Sequence, residues 1–204
     1  MRRLVLLGST GSIGTQALDV VERSDEIELV GMAAGSSFER LVAQAEQHGV
    51  DRIALADEAV AARAAEAWTG GEVLAGNEGL VELIVGSDCD LVLNALVGSA
   101  GLGPSVATLG EGIDLALANK ESLVVGGELV MALAEATGAQ VIPVDSEHSA
   151  LFQLVNAEPR VGGTGNVERL VLTASGGPFR GRTAAELAGV TPEDALAHPT
   201  WEMG

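Results

Sequence analysis

The sequence has a single lysine, Lys120, and ten arginines supply its other fixed positive charges. Against 29 acidic residues, this gives a formal net charge of -18. A surface that is acidic over most of its area repels nucleic acid and anionic membranes, so the composition predicts no nucleic-acid partner and no membrane partner. A phosphorylated ligand would need a site with locally arranged donors.

Cysteine and long apolar runs are also scarce. Cys89 is the only cysteine, so the chain cannot form an internal disulfide, and a reducing cytoplasm is the expected compartment. Gly, Asp, Glu or Asn interrupts each apolar run well before the roughly 18 to 20 residues that a membrane-spanning helix needs. The sequence therefore predicts no transmembrane segment.

What the sequence does contain is typical of a globular α/β protein, with 47% apolar and 20% charged residues. Short apolar segments predict strands at 3–8, 27–32, 52–56, 90–95, 113–118 and 140–144. Segments of helical period between them predict helices near 12–23, 38–48, 57–68, 77–84, 103–110 and 126–137. This alternation predicts a Rossmann-like, doubly wound, mostly parallel sheet.

The pattern changes after Val144, where we place a domain boundary between a nucleotide-binding domain (1–144) and the start of an α+β catalytic domain (145–204). The second part predicts a helix at 146–158, a strand at 168–175 and a short helix at 192–197 that Thr191 caps. Because no closing element follows it, we expect the chain to be a fragment.

A glycine-rich turn, 8-GSTGSIG-14, follows the first predicted strand and opens a helix. Gly8 allows a tight turn, Gly11 lets the backbone approach a pyrophosphate, and Gly14 permits close packing of the helix on the strand. The free N–H groups of the helix N-terminus favour a phosphate. The pattern indicates dinucleotide binding, and the alternative is an ordinary tight connection.

The second predicted strand lacks the carboxylate that usually holds the ribose 2′-hydroxyl of NAD. It is followed by Ser36, Ser37 and Arg40, which could donate to a 2′-phosphate. This favours NADP over NAD. The alternative is that Ser36 or Ser37 only caps the next helix.

Polar residues lie at the ends of three predicted strands, and the carboxyl ends of parallel strands meet at one edge of a sheet. These residues are Asn94, then Asn119, Lys120 and Glu121, then Asp145, Ser146, Glu147 and His148. In an extended segment, Asp145 and Glu147 would face the same way and could bind Mg²⁺ or Mn²⁺. The alternative is that Asp145 caps the next helix.

Three further residues are weaker candidates for contact with a ligand. Ser175 ends the predicted strand at 168–175, beside two glycines. His198 and Trp201 lie in a stretch that contains several prolines and could form a lid over a ligand. The alternative for His198 is an ordinary position on the surface.

Together these motifs resemble the 1-deoxy-D-xylulose 5-phosphate reductoisomerase family of the non-mevalonate isoprenoid pathway. The resemblance rests on six segments in family order, namely 8-GSTGSIG-14, 94-NALVGSAGLGP-104, 117-LANKESLV-124, 143-PVDSEHSALFQ-153, 173-TASGGPFR-180 and 198-HPTWEMG-204. It implies a metal-assisted rearrangement of the sugar phosphate and reduction by NADPH to 2-C-methyl-D-erythritol 4-phosphate. It also implies a homodimer at full length.

The resemblance implies a role for each matching residue. NADPH would be bound by the turn that carries Gly8 and Gly14, with Thr10, Gly11, Ser12 and Ile13 at its phosphates, and by Gly35, Ser36, Ser37, Asn119, Glu121 and Gly204. Mg²⁺ or Mn²⁺ would be bound by Asp145 and Glu147. The substrate would be contacted by Lys120, Ser146, Glu147, Ser175, His198 and Trp201, with Lys120, Glu147 and His198 as catalytic groups.

The family continues past Gly204 with a third carboxylate for the metal and with groups for the substrate phosphate. We therefore expect this chain to bind NADPH without turning over substrate. Two other functions stay open, namely a Rossmann-type NADP dehydrogenase of the homoserine or semialdehyde type, and a nucleotide-binding module without catalysis. Carboxylate-dependent metal binding would separate the resemblance from the dehydrogenase, and loss of turnover in Lys120→Met at full length would separate it from the non-catalytic module.

Overall fold

The computed structural model describes residues 1–157, 167–173 and 176–199. Seven strands form one sheet: β1 (Arg2–Leu7), β2 (Ile27–Ala34), β3 (Arg52–Leu55), β4 (Glu72–Ala75), β5 (Leu91–Asn94), β6 (Asp114–Leu117) and β7 (Val141–Pro143). The helices are α1 (Ser12–Glu22), α2 (Phe38–His48), α3 (Glu58–Ala67), α4 (Gly76–Gly86), α5 (Leu102–Gly110), α6 (Glu121–Thr137), α7 (Ser146–Ala157), α8 (Ala184–Leu187) and α9 (Pro192–Leu196).

All neighbouring strands pair in parallel, in the order β4-β3-β2-β1-β5-β6-β7. The chain builds outward from β1 to β4, and α4 then returns it to β5 on the other side of β1. The sheet thus has a topological switch point between β1 and β5, where open α/β sheets bind ligands beyond their carboxyl ends. The predicted α/β doubly wound fold is confirmed.

Two apolar layers cover the sheet, because alternate side chains of a strand point to opposite faces. Leu4 and Leu6 of β1 pack in a cluster with residues of α1, α2 and α3, whereas Val5 and Leu7 pack in a cluster with residues of α4. A third cluster joins β6 to α5 and α6. Strands buried on both faces explain the nearly continuous apolar runs of the sequence.

The sequence missed two features of the sheet domain. The edge strand β4 lies between glycines and has only four residues, too few to show a period. Helix α6 begins at Glu121 rather than near 126, because the helical turn before Gly126 precedes a kink at that glycine. As a result, Lys120 stands directly at the start of a helix.

The chain divides into two compact units, residues 1–152 and 153–204. The predicted domain boundary near 144 stays a prediction, although the sheet does end at Pro143. In the second unit, Thr191 caps α9 as predicted, by accepting a hydrogen bond from the Asp194 N–H. No helix among the described residues is long and apolar enough to span a membrane.

The predicted strand at 168–175 is wrong for residues 168–173, which have no regular secondary structure. Residues 174 and 175 lie outside the described ranges. A strand needs a neighbour to satisfy its backbone groups, and no described strand pairs with this segment. Apolar alternation alone could not reveal that.

Candidate active site

The glycine turn lies at the switch point, where the backbones after β1 and β5 approach each other. A Cβ on Gly8, which has φ +85°, would lie 2.6 Å from the Ala95 carbonyl oxygen. A Cβ on Gly14 would lie 2.2 Å from the Gly8 carbonyl oxygen. Both positions therefore require glycine, and Gly14 brings α1 close to the strand as predicted.

The start of α1 remains open beside this turn. Gly11 is its N-cap residue, and no side chain caps the helix. Gly11, Ser12 and Ile13 are exposed, and Thr10 is half-buried. Uncapped N–H groups at a helix N-terminus, together with the helix dipole, can bind a phosphate.

The end of β2 lies next to this turn in the sheet and carries no carboxylate. Gly35 and Ser36 are exposed, and Ser37 is half-buried. Ser37 occupies the N-cap position of α2, but its side chain makes no capping hydrogen bond. The hydroxyl groups of both serines therefore remain available to a ligand, and the alternative that one of them caps the helix is not seen.

As predicted, the polar side chains after β6 and β7 lie close together. Lys120 Nζ donates a hydrogen bond to Asp145 Oδ2 at 2.7 Å. The parallel register explains this contact, because Leu117 pairs with Pro143 and both chains then continue past the same edge. The Lys120 side chain is 64% exposed and that of Asp145 only 16%.

Asp145 is also bound by the helix that follows it. His148 Nδ1 lies 2.6 Å from Asp145 Oδ1, and the His148 backbone N–H donates to the same oxygen at 3.4 Å. Asp145 therefore caps α7, as the alternative interpretation had it, and it does so while paired with Lys120. His148 is among the polar residues that the sequence places after β7, but no role was predicted for it, although its spacing of three from a helix cap could have indicated one.

These contacts shift the ionisation of both partners. The hydrogen bond from Lys120 is the largest cause that holds the pKa of Asp145 far below its ordinary value, and His148 adds to it. The hydrogen bond to Asp145 likewise raises the pKa of Lys120, and the nearby charges of Glu121 and Glu147 raise it further. At neutral pH the pair is an ion pair.

Asp145 and Glu147 are not in an extended segment, so the expectation that strand alternation aligns them is wrong. Helix α7 begins at Ser146, and Glu147 is exposed in its first turn. In the described ranges, no three His, Cys, Asp or Glu side chains are grouped to hold a metal ion. The two carboxylates are hard oxygen donors that suit Mg²⁺ or Mn²⁺, but they form only part of a coordination shell.

The other predicted site residues are not brought together in this way. Asn119 is buried, with its side-chain amide bonded to protein groups, and Glu121 is half-buried at the start of α6. Ser146 is exposed at the start of α7. His198 is half-buried after α9 in the second unit. Ser175, Trp201 and Gly204 lie outside the described residues.

A parallel sheet with an open glycine turn at its switch point defines the class of Rossmann-like α/β proteins. Within that class, a 1-deoxy-D-xylulose 5-phosphate reductoisomerase family model matches residues 4–127, and the model of that family's C-terminal domain matches residues 141–204. The chain belongs to the 1-deoxy-D-xylulose 5-phosphate reductoisomerase family.

Curated relatives agree with this assignment. The 1-deoxy-D-xylulose 5-phosphate reductoisomerase of Corynebacterium glutamicum is 53% identical over 207 residues, which cover 100% of this chain and 51% of that protein. That of Rhodococcus jostii is 55% identical over 204 residues, covering 99% of this chain and 49% of that protein. The chain thus spans about half the length of these relatives.

Solved structures show the same similarity. A DOX-P reductoisomerase in complex with NADPH, fosmidomycin and magnesium has a TM-score of 0.82 at 31% identity, covering 100% of this chain and 52% of that one. The enzyme of Zymomonas mobilis in complex with NADPH has a TM-score of 0.81 at 37% identity, covering 96% and 51%. The WlbA dehydrogenase of Bordetella pertussis, at 13% identity and a TM-score of 0.51, shares the fold alone.

Proposed function

We propose that the chain forms the NADPH-binding part and the first part of the metal site of an enzyme that converts 1-deoxy-D-xylulose 5-phosphate to 2-C-methyl-D-erythritol 4-phosphate. The observation that carries this proposal is the 2.7 Å contact between Lys120 Nζ and Asp145 Oδ2, at the same sheet edge as the glycine turn.

The cofactor proposal rests on two strand ends. The uncapped start of α1 would bind the pyrophosphate through the N–H groups of Ser12 and Ile13. Gly35, Ser36 and Ser37 at the end of β2 would bind the adenosine ribose, and the absence of a carboxylate there favours NADPH over NADH. Asn119 and Glu121 would border the nicotinamide, and Gly204 stays a prediction from the resemblance.

The metal proposal rests on Asp145 and Glu147. Their oxygens suit Mg²⁺ or Mn²⁺, and water, substrate and a further carboxylate would complete the coordination. Lys120 and His148 each bind one oxygen of Asp145, so a cation would share this carboxylate with them and would be repelled by the Lys120 ammonium. The divalent ion would polarise the substrate carbonyl, and NADPH would supply the hydride.

Lys120 then has a catalytic task. Once it is released from Asp145, its ammonium can donate a hydrogen bond to a substrate oxygen and stabilise the negative charge that develops there. Its small, strongly hydrated cation on a flexible stem allows this movement, whereas the planar guanidinium of arginine fits two parallel acceptors. The apolar side chains of Leu117, Leu123 and Val141 line the pocket beside it, with Asp145 and His148 as polar neighbours.

Other features of the whole protein are proposed from the resemblance. Ser146, Glu147, Ser175 and His198 would contact the sugar phosphate, and Trp201 would lie on a loop that closes over it. A homodimer in the cytoplasm is proposed for the complete enzyme, and the single cysteine agrees with a reducing compartment.

Binding to the chain itself tests the proposal. NADPH binding is followed by nucleotide fluorescence, and Mn²⁺ binding by electron paramagnetic resonance. We expect Asp145→Ala and Glu147→Ala to weaken Mn²⁺ binding while NADPH binding persists, and Glu128→Ala, which removes an exposed carboxylate of α6, to change neither. Equal Mn²⁺ binding by Asp145→Ala, Glu147→Ala and the unaltered chain would rule out the metal site.

Turnover is tested by joining the chain to the second half of the Corynebacterium glutamicum relative. We expect this chimera to oxidise NADPH only when 1-deoxy-D-xylulose 5-phosphate and Mg²⁺ or Mn²⁺ are both present. Lys120→Met should abolish that oxidation. Unchanged turnover by this variant would remove Lys120 from the mechanism.

A further inference from the structure

A buried polar cluster lies directly beneath Lys120. Its first half surrounds Asn94 at the end of β5, whose side chain is fully buried. Asn94 Nδ2 donates to the Gly101 carbonyl at 2.8 Å and to Ser105 Oγ at 2.9 Å, and Asn94 Oδ1 accepts from the Leu96 N–H at 3.2 Å. One amide thus holds both ends of the loop between β5 and α5.

The second half of the cluster surrounds Asn119, which is 1% exposed. Asn119 Nδ2 donates to the Leu96 and Gly98 carbonyls at 2.8 and 2.9 Å. Its Oδ1 accepts from the Ser122 N–H at 3.1 Å and from the Ser122 hydroxyl. All four hydrogen-bonding positions of this amide are therefore used within the protein.

The two halves meet between helices α5 and α6. Ser105 Oγ lies 3.5 Å from Ser122 Oγ, and both residues are fully buried. A Cβ on Gly101 would lie 2.4 Å from the Asn119 side-chain carbon, so the loop is packed tightly against the amide. A buried network with every group satisfied rigidifies its surroundings, and loss of one member leaves others unpaired.

We propose that Asn94, Ser105 and Ser122 are positioning residues that fix the backbone of Lys120 and Glu121. Asn119 is anchored to Asn94, because the Asn119 backbone N–H donates to the Asn94 backbone carbonyl at 3.1 Å. Lys120 and Glu121 are thus the two residues between the anchored Asn119 and the anchored Ser122. The inference rests on the proposed function for its meaning in catalysis, but its geometry does not depend on it.

The network holds the Lys120 backbone but leaves its side-chain ammonium free of the network. Its backbone is held from both sides, whereas its side chain is 64% exposed and can move between Asp145 and a substrate. The same network holds the loop at 96–98, which lies beside the glycine turn through the Gly8 and Ala95 contact. Ser105 therefore acts on Lys120 without touching it.

The single lysine makes the test specific, because lysine labelled with ¹³C and ¹⁵N reports only on Lys120. We expect Ser105→Ala to shift or split the Lys120 backbone amide and Cε signals in the nuclear magnetic resonance spectrum of the chain. The matched control is Thr108→Val, which removes another fully buried hydroxyl of α5, one that bonds only within its helix. That variant should leave both signals in place.

The outcomes separate positioning from general packing. Lys120 signals that move equally in Ser105→Ala and Thr108→Val, or in neither, would overturn the proposal. Ser122→Ala serves as the second variant should Ser105→Ala not fold, with the same expected change in the Cε signal. Because these signals are read without nucleotide, a failure of the chain to bind NADPH would contradict the proposed function and leave this test unaffected.

Turnover supplies the functional measurement. In the chimera we expect Ser105→Ala to lower kcat about 10-fold, with the KM for the sugar phosphate nearly unchanged, because a small displacement of a catalytic group reduces the rate more than it reduces binding. Thr108→Val should lower the thermal stability to a similar extent without this loss of kcat. An equal loss in both variants would indicate general destabilisation.

Discussion

Lys120 and Asp145 are 25 residues apart in sequence, and the Lys120 ammonium nevertheless lies 2.7 Å from Asp145 Oδ2. The sole lysine of an acidic protein is thus paired with the first carboxylate after β7. In the proposed function, Lys120 would compete with the metal ion for this carboxylate and would also donate a hydrogen bond to the substrate.

Lys120→Met should strengthen Mn²⁺ binding by roughly 5- to 10-fold, because it removes a positive charge that pairs with the proposed metal ligand Asp145. Isothermal titration calorimetry of the chain measures this change. Lys120→Arg keeps the positive charge and should leave the affinity close to that of the unaltered chain. Weaker binding in Lys120→Met would show that the lysine supports the metal site rather than competing for it.

The ion pair should also give a defined pH dependence of stability. The folded pKa of Asp145 lies below its ordinary value of 3.8. The stabilisation that ionised Asp145 gives to the folded state is therefore fully present above pH 3.8 and is lost as the pH falls through the folded pKa. The folded pKa of Lys120 lies above 10.5, so its contribution is present below that value and is lost as the pH rises through the folded pKa.

A double-mutant cycle of Lys120→Met and Asp145→Asn, measured by urea unfolding, checks this dependence. We expect a coupling free energy of about 1 kcal/mol or less at neutral pH, because the lysine is exposed, and a decrease below pH ~3. A coupling energy that stays constant down to pH ~2 would contradict the assigned ionisation.

Gly14→Ala should destabilise the fold by about 1 to 3 kcal/mol and abolish NADPH binding, because its Cβ would lie 2.2 Å from the Gly8 carbonyl. Gly11→Ala is the matched control. Its Cβ would meet the same oxygen at 3.4 Å, an ordinary contact, so the fold should persist. Urea unfolding measures the stability of each variant, and nucleotide fluorescence measures its NADPH binding. Equal stability of Gly14→Ala and Gly11→Ala would disprove the close approach of position 14 to the Gly8 carbonyl.

Ser36→Asp should weaken NADPH binding about 10-fold and favour NADH, because a carboxylate at the end of β2 repels a 2′-phosphate and accepts from a 2′-hydroxyl. Competition between the two nucleotides measures the change. Glu39→Gln, which alters an exposed charge one turn later, is the control. An unchanged preference in Ser36→Asp would place the adenosine ribose elsewhere.

Local sequence signals predicted much of the fold. Strands alternating with amphipathic segments predicted a parallel sheet, and glycines at positions 8 and 14 predicted a turn that only glycine can form. The cap at Thr191 was equally local. The short strand β4 and the unpaired segment at 168–173 were not predictable in this way, because pairing depends on a neighbouring strand.

The sequence named candidate residues for the site but could not show their contacts. The resemblance named Lys120, Asp145 and Glu147, yet it did not show that Asp145 caps α7 or that His148 shares its carboxylate. It also assigned Asn119 to the cofactor, whereas the structure uses the whole side-chain amide of Asn119 to hold a loop. The contact of Asn119 with NADPH stays a prediction.

By itself the sequence determined which residues could do chemistry here, because a glycine turn, a lone lysine and two nearby acids are local properties of the chain. Only the tertiary structure decided that the lysine and the first acid touch. The reason is the parallel register of β6 and β7, which pairs Leu117 with Pro143 and carries the residues after both strands to one edge. Burial of Asn94, Ser105, Asn119 and Ser122 then fixes the backbone on which Lys120 stands.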